Sequence, residues 1–256
     1  MASVVDPINK LTQNTIGGLK VETVSTTTSN LNMIVYGDPG VGKTLLAGSA
    51  ADVAEMAPVL FIDVEGGTLS LRNTHPYIEV VRVKTWEDMQ NLYNELHRGK
   101  TPYRTVVLDS LTEIQKFSLM RIMVDLVREH DDRDPDVPGM REWGKNIEQI
   151  RKMVRAFRDL EMNTIFTALA QYDKDQRTGM LLTKPSLPGK LAAEIPGFVD
   201  IVLYMYVKNV DGEQKRLMLS QKTDSVQAKD RSGMLSPVIE NPTMSTLYST
   251  INGKDN

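Results

Sequence analysis

The chain has 256 residues and no cysteine, which excludes disulfide frameworks, thiolate metal sites and thiol catalysis. It has no apolar run near the roughly 20 residues that a bilayer helix needs, so no membrane span is expected. Basic charge is not in excess either, because 30 Lys and Arg face 33 Asp and Glu. Any contact with nucleic acid must therefore be local. The first 30 residues carry no secretion pattern, so we expect a cytoplasmic location.

The pattern along the chain predicts three parts. Residues 1–30 are polar and rich in Ser, Thr and Asn, which is typical of an arm that docks on a neighbouring subunit. Residues 31–241 alternate short apolar runs with helical stretches, which predicts an α/β domain with a mostly parallel central sheet flanked by helices. An Asp211-Gly212 turn predicts that this sheet ends in an antiparallel hairpin. Residues 242–256 are expected to form a weakly ordered tail.

Hydrophobic periodicity gives the expected elements of the domain. The predicted strands are Leu31 to Tyr36, Val59 to Ile62, Ile78 to Val83, Thr105 to Leu108, Thr164 to Ala170 and Ile201 to Val207. The predicted helices are Lys43 to Met56, Trp86 to His97, Leu111 to Glu129 and Glu142 to Leu160.

A glycine-rich motif follows the first predicted strand and opens the first predicted helix. It fits G-x-x-x-x-G-K-[ST], the P-loop that cradles nucleotide phosphates with backbone N–H groups. Its candidate nucleotide-binding residues are Gly37, Asp38, Pro39, Gly40, Val41, Gly42, Lys43, Thr44 and Leu45. Lys43 is expected to reach the outer phosphates and the Thr44 hydroxyl to hold Mg²⁺, which makes ATP and Mg²⁺ the expected ligands.

Acidic side chains are expected at the ends of two other buried strands. Asp109 ends Thr105 to Leu108 and fits a Walker B acid that holds Mg²⁺ through water, although it could also cap the next helix. Its neighbour is Ser110 rather than a water-activating Glu, so the base must lie elsewhere. Glu65 follows the strand Val59 to Ile62 and is the candidate base, the alternative being a solvent-facing loop acid.

An amide ends a third strand, since Gln171 follows Thr164 to Ala170 and could touch the γ-phosphate or its water. The next segment is expected to be a mobile loop that faces single-stranded DNA, or a solvated surface loop. Its candidate DNA-binding residues are Tyr172, Lys174, Arg177, Lys184 and Lys190. They lie within residues 145–231, where 15 basic against 11 acidic residues give a net charge of +4.

The order of these motifs resembles the RecA-like ATPase core over roughly residues 31–231, and most of all the phage-encoded RecA-like single-strand annealing recombinases. The resemblance implies that Glu65 activates water, that Gln171 senses the γ-phosphate and that the loop after it binds single-stranded DNA. It also implies a protein that anneals complementary strands, assembles into a ring or filament and works beside a single-strand DNA-binding protein. For a phage protein the location would be the host cytoplasm.

A second resemblance concerns assembly. Lys229-Asp230-Arg231-Ser232-Gly233 is similar to the Lys-Asn-Arg-Phe-Gly motif of the bacterial RadA proteins, although Asp230 and Ser232 depart from it. The resemblance implies that Lys229 and Arg231 reach a neighbouring subunit's ATP, with Lys222 as a further trans-acting candidate. The alternative is a basic surface loop.

Two other functions fit parts of the pattern. One is a GTPase switch, because Asp63 to Gly66 fits D-x-x-G and Gln221 to Asp224 is close to N-K-x-D. The 18 residues between Thr44 and Asp63 are too few for the helix, switch segment and extra strand of Ras-like proteins. The other is a regulatory RecA-like ATPase that acts on a protein partner without DNA.

Overall fold

The computed structural model describes residues 15–21, 30–174, 179–210 and 212–253. The chain divides into two compact units, residues 1–30 and residues 31–256, at the expected border of the arm. In the first unit, strands β1 (Thr15–Ile16) and β2 (Leu19–Lys20) form an antiparallel hairpin. Most of the arm lies outside the described residues, so its docking stays a prediction.

The second unit alternates strands and helices in the order that the sequence predicts. Its strands are β3 (Asn32–Gly37), β4 (Val59–Asp63), β5 (Glu79–Arg82), β6 (Thr105–Asp109), β7 (Asn163–Lys174), β8 (Leu181–Pro185), β9 (Ile201–Val210), β10 (Glu213–Leu219), β11 (Lys229–Asp230) and β12 (Val238–Glu240). Its α-helices are α1 (Lys43–Gly48), α2 (Trp86–His97), α3 (Leu111–Glu129), α4 (Met140–Arg158), α5 (Leu191–Glu194) and α6 (Met244–Ile251). Three 3-10 helices cover Ser49–Asp52, Gly67–Leu71 and Ile195–Gly197.

The strands of the described residues form one large sheet in the order β12-β10-β9-β3-β7-β6-β4-β5, with β8 paired to β7 and β11 to β9. The pairs from β9 through β3, β7, β6 and β4 to β5 are parallel. The pairs that involve β10, β11 and β12 are antiparallel. The predicted α/β fold class, with a mostly parallel sheet and a C-terminal antiparallel hairpin, is confirmed.

Two apolar cores form because the β3 side chains alternate between the two faces of the sheet. Met33 and Val35 pack on the face that carries α1 and α6, whereas Ile34 and Tyr36 pack on the face covered by α2 to α5. All four side chains are fully buried. Because β3 is central and covered on both faces, the loop after Gly37 emerges from the most rigid part of the sheet.

The predicted helix Lys43 to Met56 is too long. Helix α1 ends at Gly48, and the Ser49 hydroxyl donates to the Leu46 carbonyl at 2.7 Å. A side-chain bond of this kind competes with the helical ladder, and the chain tightens into a 3-10 turn at Ser49–Asp52.

The expectation of a weakly ordered tail at 242–256 is wrong for most of its length. Helix α6 occupies Met244–Ile251, with the Thr243 hydroxyl accepting from the Thr246 N–H as its N-cap. Met244 and Leu247 are buried in the core on the α1 face. The apolar residues of this tail are thus spaced along one face of a helix that packs on the core. The polar residues between them make this pattern hard to recognise in the sequence.

The segment from Tyr172 to Lys190 is not a simple loop. Strand β7 continues to Lys174 and pairs with β8 in an antiparallel hairpin, which we call the arm hairpin (residues 170–174 and 181–185). The predicted strand end at Ala170 is therefore four residues short of the observed end at Lys174. In the described residues, no helix is long and apolar enough to cross a membrane.

The approach of β3 to β9 leaves no room for a side chain at Gly37. A Cβ there would lie 2.1 Å from the Met205 carbonyl oxygen and 3.2 Å from Val41 Cγ2. We expect Gly37→Ala to lower the free energy of unfolding by about 2 kcal/mol, because backbone must shift. Gly144→Ala is the control, since open space surrounds Gly144 inside α4. It should raise stability by about 0.5–1 kcal/mol. Urea unfolding without nucleotide measures both, and equal effects would contradict the steric account.

Candidate functional site

The P-loop leaves β3 at Gly37 and enters α1 at Lys43. Gly40 and Gly42 hold positive φ angles of 79° and 106°, which side chains of L-residues rarely adopt. The Lys43 ammonium donates to the carbonyl oxygens of Gly37 at 3.0 Å and Asp38 at 2.9 Å. Burial lowers the pKa of Lys43, and the carboxylates of Asp109, Glu65 and Asp38 oppose that shift.

The Asp109 carboxylate lies at the end of β6, beside the P-loop, and is only 4% exposed. Its Oδ2 accepts from the Thr44 hydroxyl at 2.7 Å, and its Oδ1 accepts from the Thr167 hydroxyl on β7. Neither oxygen caps the following helix in this arrangement. The structure therefore brings together the two residues that the sequence assigns to Mg²⁺.

The site offers the donors that Mg²⁺ prefers. A hydroxyl and a carboxylate oxygen meet within hydrogen-bond distance, and Gly67 leaves space beside both, since its Cβ position is 3.8 Å from Asp109 Oδ2 and 4.0 Å from Thr44 Oγ1. Hard oxygen ligands with room for water fit this ion. Thr44 would bind it directly, and Asp109 would hold it through water.

The loop after β4 carries Glu65 into the same cleft. Asp63, 1% exposed, ends β4 and accepts from the backbone N–H groups of Gly66 at 2.7 Å and Gly67 at 3.1 Å. Asp63 thus fixes the turn on which Glu65 stands. The Glu65 carboxylate itself is exposed and accepts a hydrogen bond from the Ser110 hydroxyl. The residue beside the Walker B acid, Ser110, is thus hydrogen-bonded to the candidate base.

These groups line one open cleft of about 380 Å³. Its lining residues are Pro39, Gly40, Gly42, Lys43, Thr44, Leu45, Glu65, Gly67, Ser70, Asp109, Glu113, Leu169 and Arg216. Sequence reasoning missed Thr167, Ser110 and Arg216. Ser110 follows the Walker B acid directly, so a strand-end signal existed for it. Arg216 had none, because only the register of the β9–β10 hairpin brings it to the cleft.

Gln171 is not among the residues that line the cleft. It lies on the same face of β7 as the lining residue Leu169, two positions further along. Its amide donates to Asp173 Oδ1 at 2.9 Å. The γ-phosphate role therefore requires the amide to exchange this partner, and it remains a prediction.

The DNA-binding candidates have unequal surroundings. The Tyr172 hydroxyl lies 2.7 and 2.8 Å from the two carboxylate oxygens of Asp38 in the P-loop, and burial raises its pKa. Lys184 forms an ion pair with Asp173, which lowers the pKa of Asp173. Lys174 and Lys190 are exposed, and Arg177 lies outside the described residues.

The trans-acting candidates have partners within the chain. The Lys229 ammonium donates to the carbonyl oxygens of Pro196 and Val199, and burial lowers its pKa. The Arg231 guanidinium pairs with Asp200 but stays 55% exposed. Lys222 is exposed in the loop that follows β10. A role at a neighbouring subunit stays a prediction for all three.

The cap at Asp63 gives a test of how Glu65 is positioned. Asp63→Ala leaves two glycine N–H groups without their acceptor, so we expect stability to fall by about 1–3 kcal/mol. Steady-state kinetics should give a kcat about tenfold lower, a loss of about 1.4 kcal/mol in transition-state stabilisation, with KM little changed. Asp63→Asn keeps one acceptor oxygen and should recover most of both. Arg82→Met is the control, because Arg82 is 72% exposed and its Nε is 3.8 Å from Asp63 Oδ2. Equal losses in the Asn and Ala variants would contradict the capping role.

Similarity to known proteins includes the region that forms this site. A search of curated proteins gives no match. Among 225 matching chains of solved structures is a KaiC-like protein of the archaeon Pyrococcus horikoshii OT3. It is 15% identical, with 83% of this chain and 89% of that chain covered and a TM-score of 0.42. The family model AAA_24, described as an AAA domain, matches residues 29–232 and so spans the whole region that carries the P-loop, Glu65 and Asp109. The chain therefore belongs to this AAA domain family.

Proposed function

We propose that this protein binds and hydrolyses ATP with Mg²⁺ and uses the nucleotide state to bind single-stranded DNA and promote annealing of complementary strands. The observation that carries the proposal is the convergence of Lys43, Thr44, Asp109 and Glu65 on one cleft. A phosphate-binding loop, a metal-binding pair and a carboxylate at a strand end are the parts that nucleoside-triphosphate hydrolysis needs.

Each residue has a distinct task in this proposal. Lys43 is held by two carbonyl oxygens with one proton left to donate, and it points that proton at the phosphates. Bound Mg²⁺ would neutralise charge on the transferred phosphoryl group. Glu65, oriented by Ser110, accepts a proton from the attacking water. The open mouth of the cleft leaves Glu65 accessible to that water.

The arm hairpin supports the DNA part of the proposal. It continues the strand that bears Gln171, and the Tyr172 hydroxyl ties it to Asp38 of the P-loop. A phosphate bound in the P-loop brings negative charge beside Asp38, which alters what Tyr172 can bind. The exposed ammonium groups of Lys174 and Lys190 are then the local positive charge that a single strand requires.

Assembly into a ring or filament completes the proposal. Arg231 is exposed and could exchange Asp200 for a neighbour's phosphate, whereas Lys229 is held inside its own chain. A single-strand DNA-binding protein would be the natural partner, in the host cytoplasm if the chain is phage-encoded.

A regulatory ATPase that acts on a protein partner is the second candidate. The observation that favours it is the Lys184–Asp173 pair, which neutralises one of the expected DNA-binding cations. A surface ion pair of this kind contributes at most about 1 kcal/mol, so DNA phosphates could still displace it.

Hydrolysis is tested by separating binding from chemistry. Lys43→Ala should abolish binding of a fluorescent ATP analogue, because it removes the cation of the P-loop that faces the outer phosphates. Glu65→Gln should bind it normally while kcat falls by about 10²–10⁴, the usual contribution of a positioned general base. Glu129→Gln at the exposed end of α3 is the control and should match the wild type in both assays. Full activity in Glu65→Gln would remove Glu65 from the mechanism.

DNA binding is tested by fluorescence anisotropy of a labelled single-stranded oligonucleotide, with Mg²⁺ and a non-hydrolysable ATP analogue, at several salt concentrations. Lys174→Glu and Lys190→Glu should each weaken binding and reduce the slope of log affinity against log salt by about 0.7, the value for one lost phosphate contact. Lys100→Glu, in the loop after α2, should change neither. Absence of binding in every nucleotide state would favour the protein-directed ATPase.

A further inference from the structure

We propose that Arg216 is a nucleotide-binding residue supplied in cis, whose guanidinium holds the α- and β-phosphates above Gly42. The assignment rests on the proposed nucleotide binding and names a second cation for the same site. Arg216 lies outside the P-loop motif, on the antiparallel hairpin at the C-terminal side of the sheet.

Strand register brings Arg216 to the P-loop. Gly37 is level with Met205 on β9, and Met205 pairs with Met218 on β10. Met218 is buried on the face that carries α1. Arg216 precedes Met218 by two residues and so lies on this same face, beyond the level at which the P-loop begins.

The side chain then lies directly over the loop. A Cβ built on Gly42 would lie 3.0 Å from Arg216 Nε, 3.3 Å from its Cδ and 3.4 Å from Met205 Cε. A side chain at residue 42 would crowd Arg216, and the φ of 106° at Gly42 is one that L-residues rarely adopt. The guanidinium and the backbone that cradles phosphate thus face the same space.

The charges of the cleft favour a further cation. Its lining contains the carboxylates of Glu65, Asp109 and Glu113, against Lys43 and Arg216, and Glu113 is paired with Lys116. Arg216 is thus the second cationic side chain that a polyphosphate would meet in the lining, beside the Mg²⁺ proposed for Thr44 and Asp109. Among the described residues, no ion pair or side-chain hydrogen bond involves the Arg216 guanidinium, whereas Lys215 next to it is paired with Glu240 at 3.1 Å.

The geometry favours phosphate over the base. The backbone N–H groups of a P-loop cradle the α- and β-phosphates. Gly42 belongs to this loop and directly precedes the P-loop lysine, Lys43. Guanidinium groups bind phosphate oxygens in bidentate fashion. The contact is therefore expected with every nucleotide that carries these two phosphates, whatever its base and whether or not it has a γ-phosphate.

The experiment measures the affinity of the purified full-length protein for mant-ATP, mant-ADP, mant-GTP and inorganic pyrophosphate. Arg216→Met should weaken all four by about 10–100-fold, the factor that corresponds to one lost charge-assisted contact. Arg216→Lys should recover part of the loss, because a point charge remains without the bidentate fork. Lys215→Met removes the same charge from the opposite face of β10 and should leave all four affinities unchanged. Thermal unfolding without ligand should be similar for all variants, which shows that they are folded.

The outcomes separate the two proposals. If Lys43→Ala loses binding but Arg216→Met does not, only the assignment of Arg216 is wrong. A loss confined to one base, or confined to mant-ATP among the adenine probes, would also overturn it. If the wild-type protein binds neither nucleotide nor pyrophosphate, nucleotide binding and the role of Arg216 are both overturned.

Discussion

A buried carboxylate, that of Asp109, imposes the constraint on which the rest of the site depends. A charge that is only 4% exposed must be compensated by hydrogen bonds, and its two oxygens find them on different elements. The Thr44 hydroxyl comes from the start of α1 and the Thr167 hydroxyl from β7. The start of α1, the end of β6 and the middle of β7 are thereby held together by one group. The same edge of the sheet supplies the oxygen ligands that a divalent cation needs. The side chains that compensate the buried Asp109 carboxylate are thus next to the atoms that would bind the cation.

Glu65 shows how the chain manages without an acid next to its Walker B residue. Two contacts position the carboxylate: Asp63 caps the turn beneath it, and Ser110, the residue after β6, donates to it. Asp63 and Ser110 lie at the ends of adjacent parallel strands, since Asp63 pairs in register with Asp109. The candidate base is consequently placed by the sheet as well as by its own loop. This arrangement accounts for an exposed catalytic candidate on a turn that is nonetheless well defined.

Features set by local sequence could be predicted, and those set by distant pairing could not. The P-loop, Asp109 and Glu65 each follow an apolar run, and parallel strands end at one edge, so their convergence follows from the sequence. The arm hairpin was missed because the residues of β7 after Ala170 are mostly polar, and the pairing with β8 that extends the strand leaves no local signal. Helix α6 was missed because its two buried residues, Met244 and Leu247, are few among polar neighbours. Arg216 reaches the cleft through the register of an antiparallel pair, which no motif specifies.

The phenol of Tyr36, one residue before the P-loop, links regions that are far apart in the chain. Its hydroxyl donates to the Gln227 carbonyl at 2.6 Å and lies 3.2 Å from the Thr183 carbonyl at the root of the arm hairpin. Burial raises its pKa above the ordinary value of a tyrosine. Thr183 is also joined to the segment of Gln227 by backbone hydrogen bonds at 2.7 and 3.0 Å. The arm hairpin and the segment that leads to Lys229 are therefore tied to each other and to the end of β3. A displacement of either segment would strain hydrogen bonds of the residue that precedes the P-loop.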